Sequence, residues 1–186
     1  IILTMIGIIT YGTIYNIIYK PNIDLNGQKS ALLYIHTGSN FEKVLKDLAA
    51  SRYIRNISTF ERVARWKKYD NKVKPGRYRI YNRMNNTDLV NLLRSGRQEP
   101  VNVVFNGLLR KEDLAGKISS QIEADSISLL HLMNDPGYLS KFNVPVQFAF
   151  LLFIPNTYEF FWNTSAGQFM IRMNQESKKF WNSNRK

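Results

Sequence analysis

Two stretches decide the fold: residues 32–51, LLYIHTGSNFEKVLKDLAAS, and residues 77–96, RYRIYNRMNNTDLVNLLRSG. Each opens on a short apolar run, crosses a polar turn, and continues with apolar residues at helical spacing. In the first, Ser39 and Glu42 have the spacing of a capping box, and Phe41, Val44, Leu45 and Leu48 form one apolar face. In the second, Asn85 and Asp88 take cap positions, Leu89, Leu92 and Leu93 form the face, and Gly96 is the stop. The unit recurs at residues 101–122, VNVVFNGLLRKEDLAGKISSQI, with Leu114, Ile118 and Ile122 on the helix but no good polar cap at Arg110. Between the first two copies, Phe60, Val63, Ala64 and Trp66 predict a second helix, and Lys74-Pro75-Gly76 turns the chain into the next strand. The pattern predicts an α+β fold, with helices packed on a short antiparallel sheet.

Outward from this region, residues 21–30, PNIDLNGQKS, read as a short polar linker. Residues 1–19, IILTMIGIITYGTIYNIIY, carry no charge and are closed by Lys20 and Pro21. Three readings of that run compete: a transmembrane anchor, the core of a signal peptide, and a buried helix of a soluble domain. No small-residue cleavage site follows it, which weakens the second. On the other side, the texture changes after Ile122, and a boundary is expected near Gln121 to Ser126. Ser126 is a candidate cap for the helix ISLLHLMND, which Pro136-Gly137 would end. Residues 144–165, VPVQFAFLLFIPNTYEFFWNTS, are rich in aromatic and aliphatic side chains. Thr164 or Ser165 then caps a last helix, with Phe169, Met173 and Phe180 on one side. The chain begins at Ile1 and closes on a polar, helix-like run, Trp181 to Lys186, without a stop signal, so both ends are expected to be cut.

The 186 residues carry 26 Lys and Arg against 14 Asp and Glu, a net charge of +12, which favours an anionic partner. The charge is spread along the chain, which argues against a nucleic-acid binder. Without cysteine there can be no disulfide framework and no thiolate metal site. No phosphate-binding glycine loop and no GxSxG elbow is present. His36 and His131 lack ligand spacing and read as ordinary surface or strand residues, so neither a metal nor a cofactor is expected.

Carboxylates remain for acid–base chemistry. Glu159 stands apart because Pro155-Asn156-Thr157-Tyr158 precede it and Phe160-Phe161-Trp162 follow it. Among so many rings it could be a partly desolvated proton donor, or an exposed carboxylate at the rim of an aromatic core. Likewise, Phe153 to Trp162 could wall a sugar-binding cleft, with rings to stack on and amides to bond hydroxyl and acetamido groups, or could be hydrophobic core.

Four segments in order carry a resemblance: YIHTGSNFEKVLKDLAASRYI (34–54), VKPGRYRIYNRMNNTDLVNLLRSGRQ (73–98), VVFNGLLRKEDLAGKIS (103–119) and FIPNTYEFFWNTSA (153–166). The chain resembles the MltG/YceG-like family of endolytic murein transglycosylases, in a form like that of Bacteroidetes members. The most specific pieces are KPGRYRI with LLRSGR, and IPNTYEFFWNTS, which is similar to the family's F-P-(D/N)-T-Y segment. The resemblance implies a transmembrane anchor at 1–20, the linker at 21–30, a LysM-like module at 31–98, and the start of an α+β catalytic domain at 99–186. It implies a single-pass protein of the bacterial inner membrane with its bulk in the periplasm. It implies cleavage of nascent peptidoglycan strands to leave 1,6-anhydro-N-acetylmuramic acid ends, with glycan strands, the plasma membrane and cell-wall synthases as partners. Nucleic acid and cofactors are not implied. The alternative from another class is a non-catalytic envelope module that binds glycan or synthesis partners. The family's catalytic glutamate belongs to a segment of the form S-I-(I/V)-E-x-E-T, which residues 1–186 lack, so no catalytic residue is assigned and the chain alone is expected to be inactive. The F-P-(D/N)-T-Y match makes Asn156, Thr157, Tyr158, Glu159 and Trp162 candidate substrate-binding residues.

Overall fold

The computed structural model describes residues 2–106 and 110–183, apart from the side chains of Leu3, Ile8 and Ile9. The expected sequence features at 107–109 and 184–186 lie outside the described residues. The chain divides into two compact units, Ile1–Glu99 and Pro100–Lys186. The change of texture near Gln121 to Ser126 falls inside the second unit.

In the first unit, helix α1 (Ile2–Tyr19) precedes strand β1 (Ser30–Ile35), helices α2 (Phe41–Ser51) and α3 (Ile57–Trp66), strand β2 (Gly76–Tyr81) and helix α4 (Asn86–Ser95). β1 and β2 pair antiparallel from Ser30 opposite Tyr81 to Ile35 opposite Gly76. Period-two alternation turns Leu33, Ile35, Tyr78 and Ile80 inward. There they meet Phe41, Val44 and Leu48 of α2, Phe60, Val63 and Ala64 of α3, and Leu89, Val90 and Leu93 of α4. Trp66, expected on this face, is 68% exposed at the end of α3. Burial pushes the Tyr78 hydroxyl up to about 12; it donates to the Lys74 carbonyl at 3.0 Å.

The helix ends follow capping chemistry, with one displacement. Asn85 accepts from the Asp88 N–H at 2.8 Å, and Gly96 closes α4 with φ of 71°. The α2 cap is Asn40, which accepts from the Lys43 N–H at 2.9 Å, and not Ser39. Starting the helix one residue later makes Phe41 its first residue and leaves Glu42 to pair with Arg65 at 3.2 Å. Gly76 has φ of +146°, and a Cβ there would lie 2.2 Å from Gln98 Cδ, so the turn into β2 requires glycine.

Residues 21–30 are not a free linker. Ile23 and Leu25 are 1% and 2% exposed, and Pro21 and Ile23 form β-bridges to Asn85 and Ile54. Beside them lies a network of buried amides. Asn22 Nδ2 donates to Asn86 Oδ1 at 2.7 Å and to the Asn56 carbonyl at 2.9 Å. Its Oδ1 accepts from the Asn56 N–H at 2.9 Å. Asn86 Nδ2 then donates to the Ile17 carbonyl at 2.7 Å, and Thr87 Oγ1 to that of Ile18 at 3.2 Å. The last carbonyls of α1, which have no partners within their own helix, are thus capped from the start of α4.

The reading of residues 1–20 as a membrane-spanning anchor gains no support from the described helices. Among the described residues, no helix is long and apolar enough to cross a membrane. α1 spans Ile2–Tyr19 and carries no charged residue. Gly7, Thr10, Gly12, Thr13 and Asn16 dilute its apolar content, and Thr10 Oγ1 bonds back to the Ile6 carbonyl at 2.7 Å.

At the end of the unit, Glu99 is held by the Nε and Nη2 groups of Arg79, while its backbone N–H donates to the Arg77 carbonyl at 2.7 Å. The Arg79 hydrogen bonds hold its carboxyl below the ordinary carboxylate value.

The second unit runs β3 (Val101–Phe105), α5 (Lys111–Ser119), α6 (Ser126–Asn134), α7 (Pro136–Ser140), a 3-10 helix at Val146–Leu152, β4 (Asn156–Phe160) and α8 (Ala166–Ser183). β3 and β4 pair antiparallel, Val101 opposite Phe160 and Phe105 opposite Asn156. The third copy of the strand–helix pattern therefore pairs with a strand far along the chain and not with the first two. Phe169 of α8 is fully buried, with ring centroids 5.1 Å from Phe160, 6.2 Å from Phe153 and 6.5 Å from Phe105. Phe180, expected on that side, is 40% exposed. Asp125, not Ser126, caps α6 by accepting from the Ser128 N–H at 2.7 Å. Pro136-Gly137 open a further short helix, since Asp135 accepts from the Tyr138 N–H at 3.1 Å and proline is suited to a first turn. Ser165 and Gln168 exchange bonds at the start of α8, Ser165 N–H to Gln168 Oε1 at 3.0 Å and Gln168 N–H to Ser165 Oγ at 3.3 Å.

Two outcomes are expected. Asn86→Ala removes one acceptor of the Asn22 amide and the donor to the Ile17 carbonyl, and should destabilise the first unit by about 1–3 kcal/mol in urea denaturation. Hydrogen exchange should also quicken at the last turn of α1. For Glu99, a lowered folded-state pKa means a contribution present above the unfolded value and lost as pH falls through the folded one. The stability gap between the wild type and Glu99→Gln should therefore close as pH drops below about 4, measured by thermal melts across pH.

Candidate functional site

β4 and the turn after it contain all five residues singled out from the sequence, and strand alternation sorts them. Tyr158 and Phe160 point into the core of the second unit. Thr157 and Glu159 point to solvent, opposite Val104 and Asn102 of β3, which are also exposed. The solvent face of the two-stranded sheet thus carries Asn102, Val104, Thr157 and Glu159.

Tyr158 leaves the set of residues available to a ligand. It is 8% exposed, its ring stacks on Phe105 with centroids 5.6 Å apart, and its hydroxyl donates to the Ile154 carbonyl at 2.7 Å. Burial raises its pKa, and the nearby Glu176 carboxylate adds to the effect. The ring that was expected to stack on a sugar is instead part of the core. Trp162 is half-buried, packs against the same core, and its carbonyl accepts from the Glu123 N–H at 2.7 Å. Of the two readings of Phe153 to Trp162, hydrophobic core describes Phe153, Tyr158 and Phe160. Glu159 is the exposed carboxylate of the two alternatives, because alternation sends its neighbours' rings to the other side.

Asn156 is exposed at the start of β4, and its Oδ1 accepts from the Thr157 N–H at 2.7 Å. Its side-chain amide N–H groups thus remain as donors at the strand's end. Phe161, two residues beyond Glu159, is 55% exposed and supplies the aromatic surface that Tyr158 does not. The same period of two that links Thr157 to Glu159 could have flagged it. Thr164 Oγ1 fixes the following turn by donating to the Phe161 carbonyl at 2.6 Å. Behind the sheet edge, Gln121 accepts from the Val104 N–H at 3.0 Å and donates to the Lys117 carbonyl at 2.8 Å. It thereby occupies part of β3's outer backbone. Chemically, the face offers one amide, one hydroxyl and one carboxylate, with the exposed Asn156 at the start of β4 and the exposed Phe161 ring just past its end. That combination suits a neutral, hydroxyl- and amide-rich ligand.

His36 and His131 are both exposed and lie in different units. Among the described residues, no group of three or more His, Cys, Asp or Glu could hold a metal ion.

The fold and this face can be set beside known proteins. The YceG-like family model matches residues 33–186, and the chain belongs to that family. No curated protein matches. Among solved structures, a crystal structure of a yceG-like protein from Listeria monocytogenes aligns with a TM-score of 0.44 and 19% identity, covering 84% of this chain and 57% of that one. The chain therefore spans little more than half the length of that relative.

The placement of Tyr158 gives a test of its own. Tyr158→Phe removes only the bond to Ile154 and should cost about 1 kcal/mol. Tyr158→Ala opens a cavity against Phe105 and should cost about 3–5 kcal/mol in denaturant unfolding of the second unit. Equal stability of the wild type and the alanine variant would contradict its place in the core.

Proposed function

We propose that the chain is part of an endolytic lytic transglycosylase that cuts nascent peptidoglycan strands and leaves 1,6-anhydro-N-acetylmuramic acid ends, limiting strand length. The observation that carries this reading is the family match across residues 33–186, which includes the exposed face built on β4. The reaction needs one carboxylic acid. It protonates the glycosidic oxygen as the bond to the anomeric carbon breaks. The resulting carboxylate then takes the proton of the sugar's own 6-hydroxyl as that oxygen closes on the anomeric carbon. No water is consumed, unlike in a hydrolase with paired carboxylates. In this proposal the acid–base glutamate comes from the S-I-(I/V)-E-x-E-T segment, outside residues 1–186.

The residues present here would bind and orient. Asn156 and Asn102 are suited to acetamido groups, Thr157 and Glu159 to ring hydroxyls, and Phe161 to an apolar sugar face. Trp162 contributes as the support behind this edge. The strand–helix–helix–strand order of the first unit supports its reading as a LysM-like, glycan-binding module of an envelope protein.

The test uses the whole protein that carries this chain, incubated with uncrosslinked glycan strands, with the products analysed by mass spectrometry. Anhydro-muramic ends should appear, and Thr157→Ala combined with Glu159→Gln should lower their yield about tenfold, two lost hydrogen bonds at roughly 1 kcal/mol or less each. Strands left intact by the wild-type protein would point to a non-catalytic binding module instead.

A further inference from the structure

A second feature lies in the first unit, at the foot of α1, and it is independent of the transglycosylase reading. There the chain forms an open cleft of about 390 Å³ lined by ten residues, among them Asn16, Lys20, Arg55, Asn56, Thr59 and Asn86. Two of these residues are cations and none is an acid. Many of the remaining polar atoms are already spoken for: Asn22 and Asn86 are spent on the amide network, and Thr59 Oγ1 donates to the Asn56 carbonyl at 2.9 Å.

What stays available is mostly donors. The Lys20 ammonium and the Asn16 amide have no partner among the described residues. The Asn56 side chain uses only its oxygen, accepting from the Thr59 N–H at 3.1 Å. Arg55 directs Nε and Nη2 to Asp24, at 3.1 Å and 2.8 Å, which leaves Nη1. The negative end of the α1 dipole also faces this region and opposes an anion. Its terminal carbonyls, however, are bonded to Asn86 and Thr87, and although Asp24 offsets the Arg55 charge, the full charge of Lys20 outweighs a partial one that is typically worth less than about 1 kcal/mol.

We propose that this cleft is a binding site for a phosphate group. Three tetrahedrally disposed oxygens can accept from Lys20, the free Arg55 N–H and the Asn16 and Asn56 amides together. A singly charged, planar carboxylate would leave some of these donors unused. One further feature bears on where the phosphate comes from. α1 leads away from the cleft as an uncharged helix with Met5, Ile6, Ile14, Tyr15 and Tyr19 all more than half exposed. A phosphate carried by an amphiphile could place its apolar chains along that surface, whereas a soluble phosphate would use the cleft alone.

The experiment is co-sedimentation of the full chain with vesicles of phosphatidylcholine, with and without phosphatidylglycerol, alongside calorimetric titration with inorganic phosphate. Lys20→Gln should weaken binding to the phosphatidylglycerol vesicles about fivefold, the usual value of one basic residue near an anionic surface. Lys46→Gln, on the exposed side of α2, serves as the control for adsorption driven by net charge and should change it less than twofold. Saturable binding of inorganic phosphate that is lost in Lys20→Gln would assign the site to soluble phosphate; Lys20-dependent binding to vesicles alone would assign it to a lipid headgroup. If Lys20→Gln and Lys46→Gln weaken vesicle binding equally, or if neither probe responds to Lys20→Gln, the proposal is wrong.

Discussion

Each unit rests on a sheet of only two strands, and a ribbon that narrow is stable only when helices cover one of its faces. That constraint fixes almost everything else. In the first unit it requires Leu33, Ile35, Tyr78 and Ile80 to face α2, α3 and α4. In the second it requires Val101, Val103, Phe105, Tyr158 and Phe160 to face Phe153 and Phe169. The opposite faces are free of packing duty, and the candidate binding residues lie on one of them. A one-residue slip of β4 against the core would exchange Tyr158 for Glu159 and bury a carboxylate with no partner, so the register is strongly specified.

Polar groups do comparable work at the junction of elements. Asn22 and Asn86 are 5% and 1% exposed, yet their amides serve the backbone of the α3 and α1 ends. Buried amides are tolerated because nearly every donor and acceptor is matched, and such networks hold one arrangement against near alternatives. Here the arrangement held is the docking of the last turn of α1 onto α3 and α4. It also shapes the cleft, by consuming the acceptors and leaving cationic and amide donors.

Much of this was legible in the sequence, for local reasons. Periodicity marked the strand–helix units, and Asn85, Gly96 and Ser165 announced helix ends because their side chains or φ values meet needs set by the adjacent backbone. Where the reading failed, a competing local option or a distant partner decided. Ser39 has the better box pattern, but Asn40 caps α2 so that Phe41 can begin the helix and reach the core. The string PNIDLN looks like a linker, yet Ile23 and Leu25 alternate and are buried by residues at 54 and 84–86 that composition alone does not bring near. The uncharged run at 1–19 reads as an anchor by charge, and among the described residues no helix is long and apolar enough to cross a membrane. For the candidate site, motif likeness grouped residues 156–162 together. Only the side-to-side alternation of β4 separates the ones that can meet a ligand from the ones that hold the core.

Under the proposed function, the solvent face of β3 and β4 binds glycan while the core side of the same strands is purely structural. The most direct measurement is a titration of the isotopically labelled chain with short uncrosslinked glycan strands, followed by amide chemical shifts. Glycan binding there should give saturable shifts at Asn102, Thr157 and Glu159, and at Asn156 and Phe161 beside them, with the Tyr158 ring resonances unmoved. Absence of shifts on that face, or shifts confined to other residues of the chain, would contradict it.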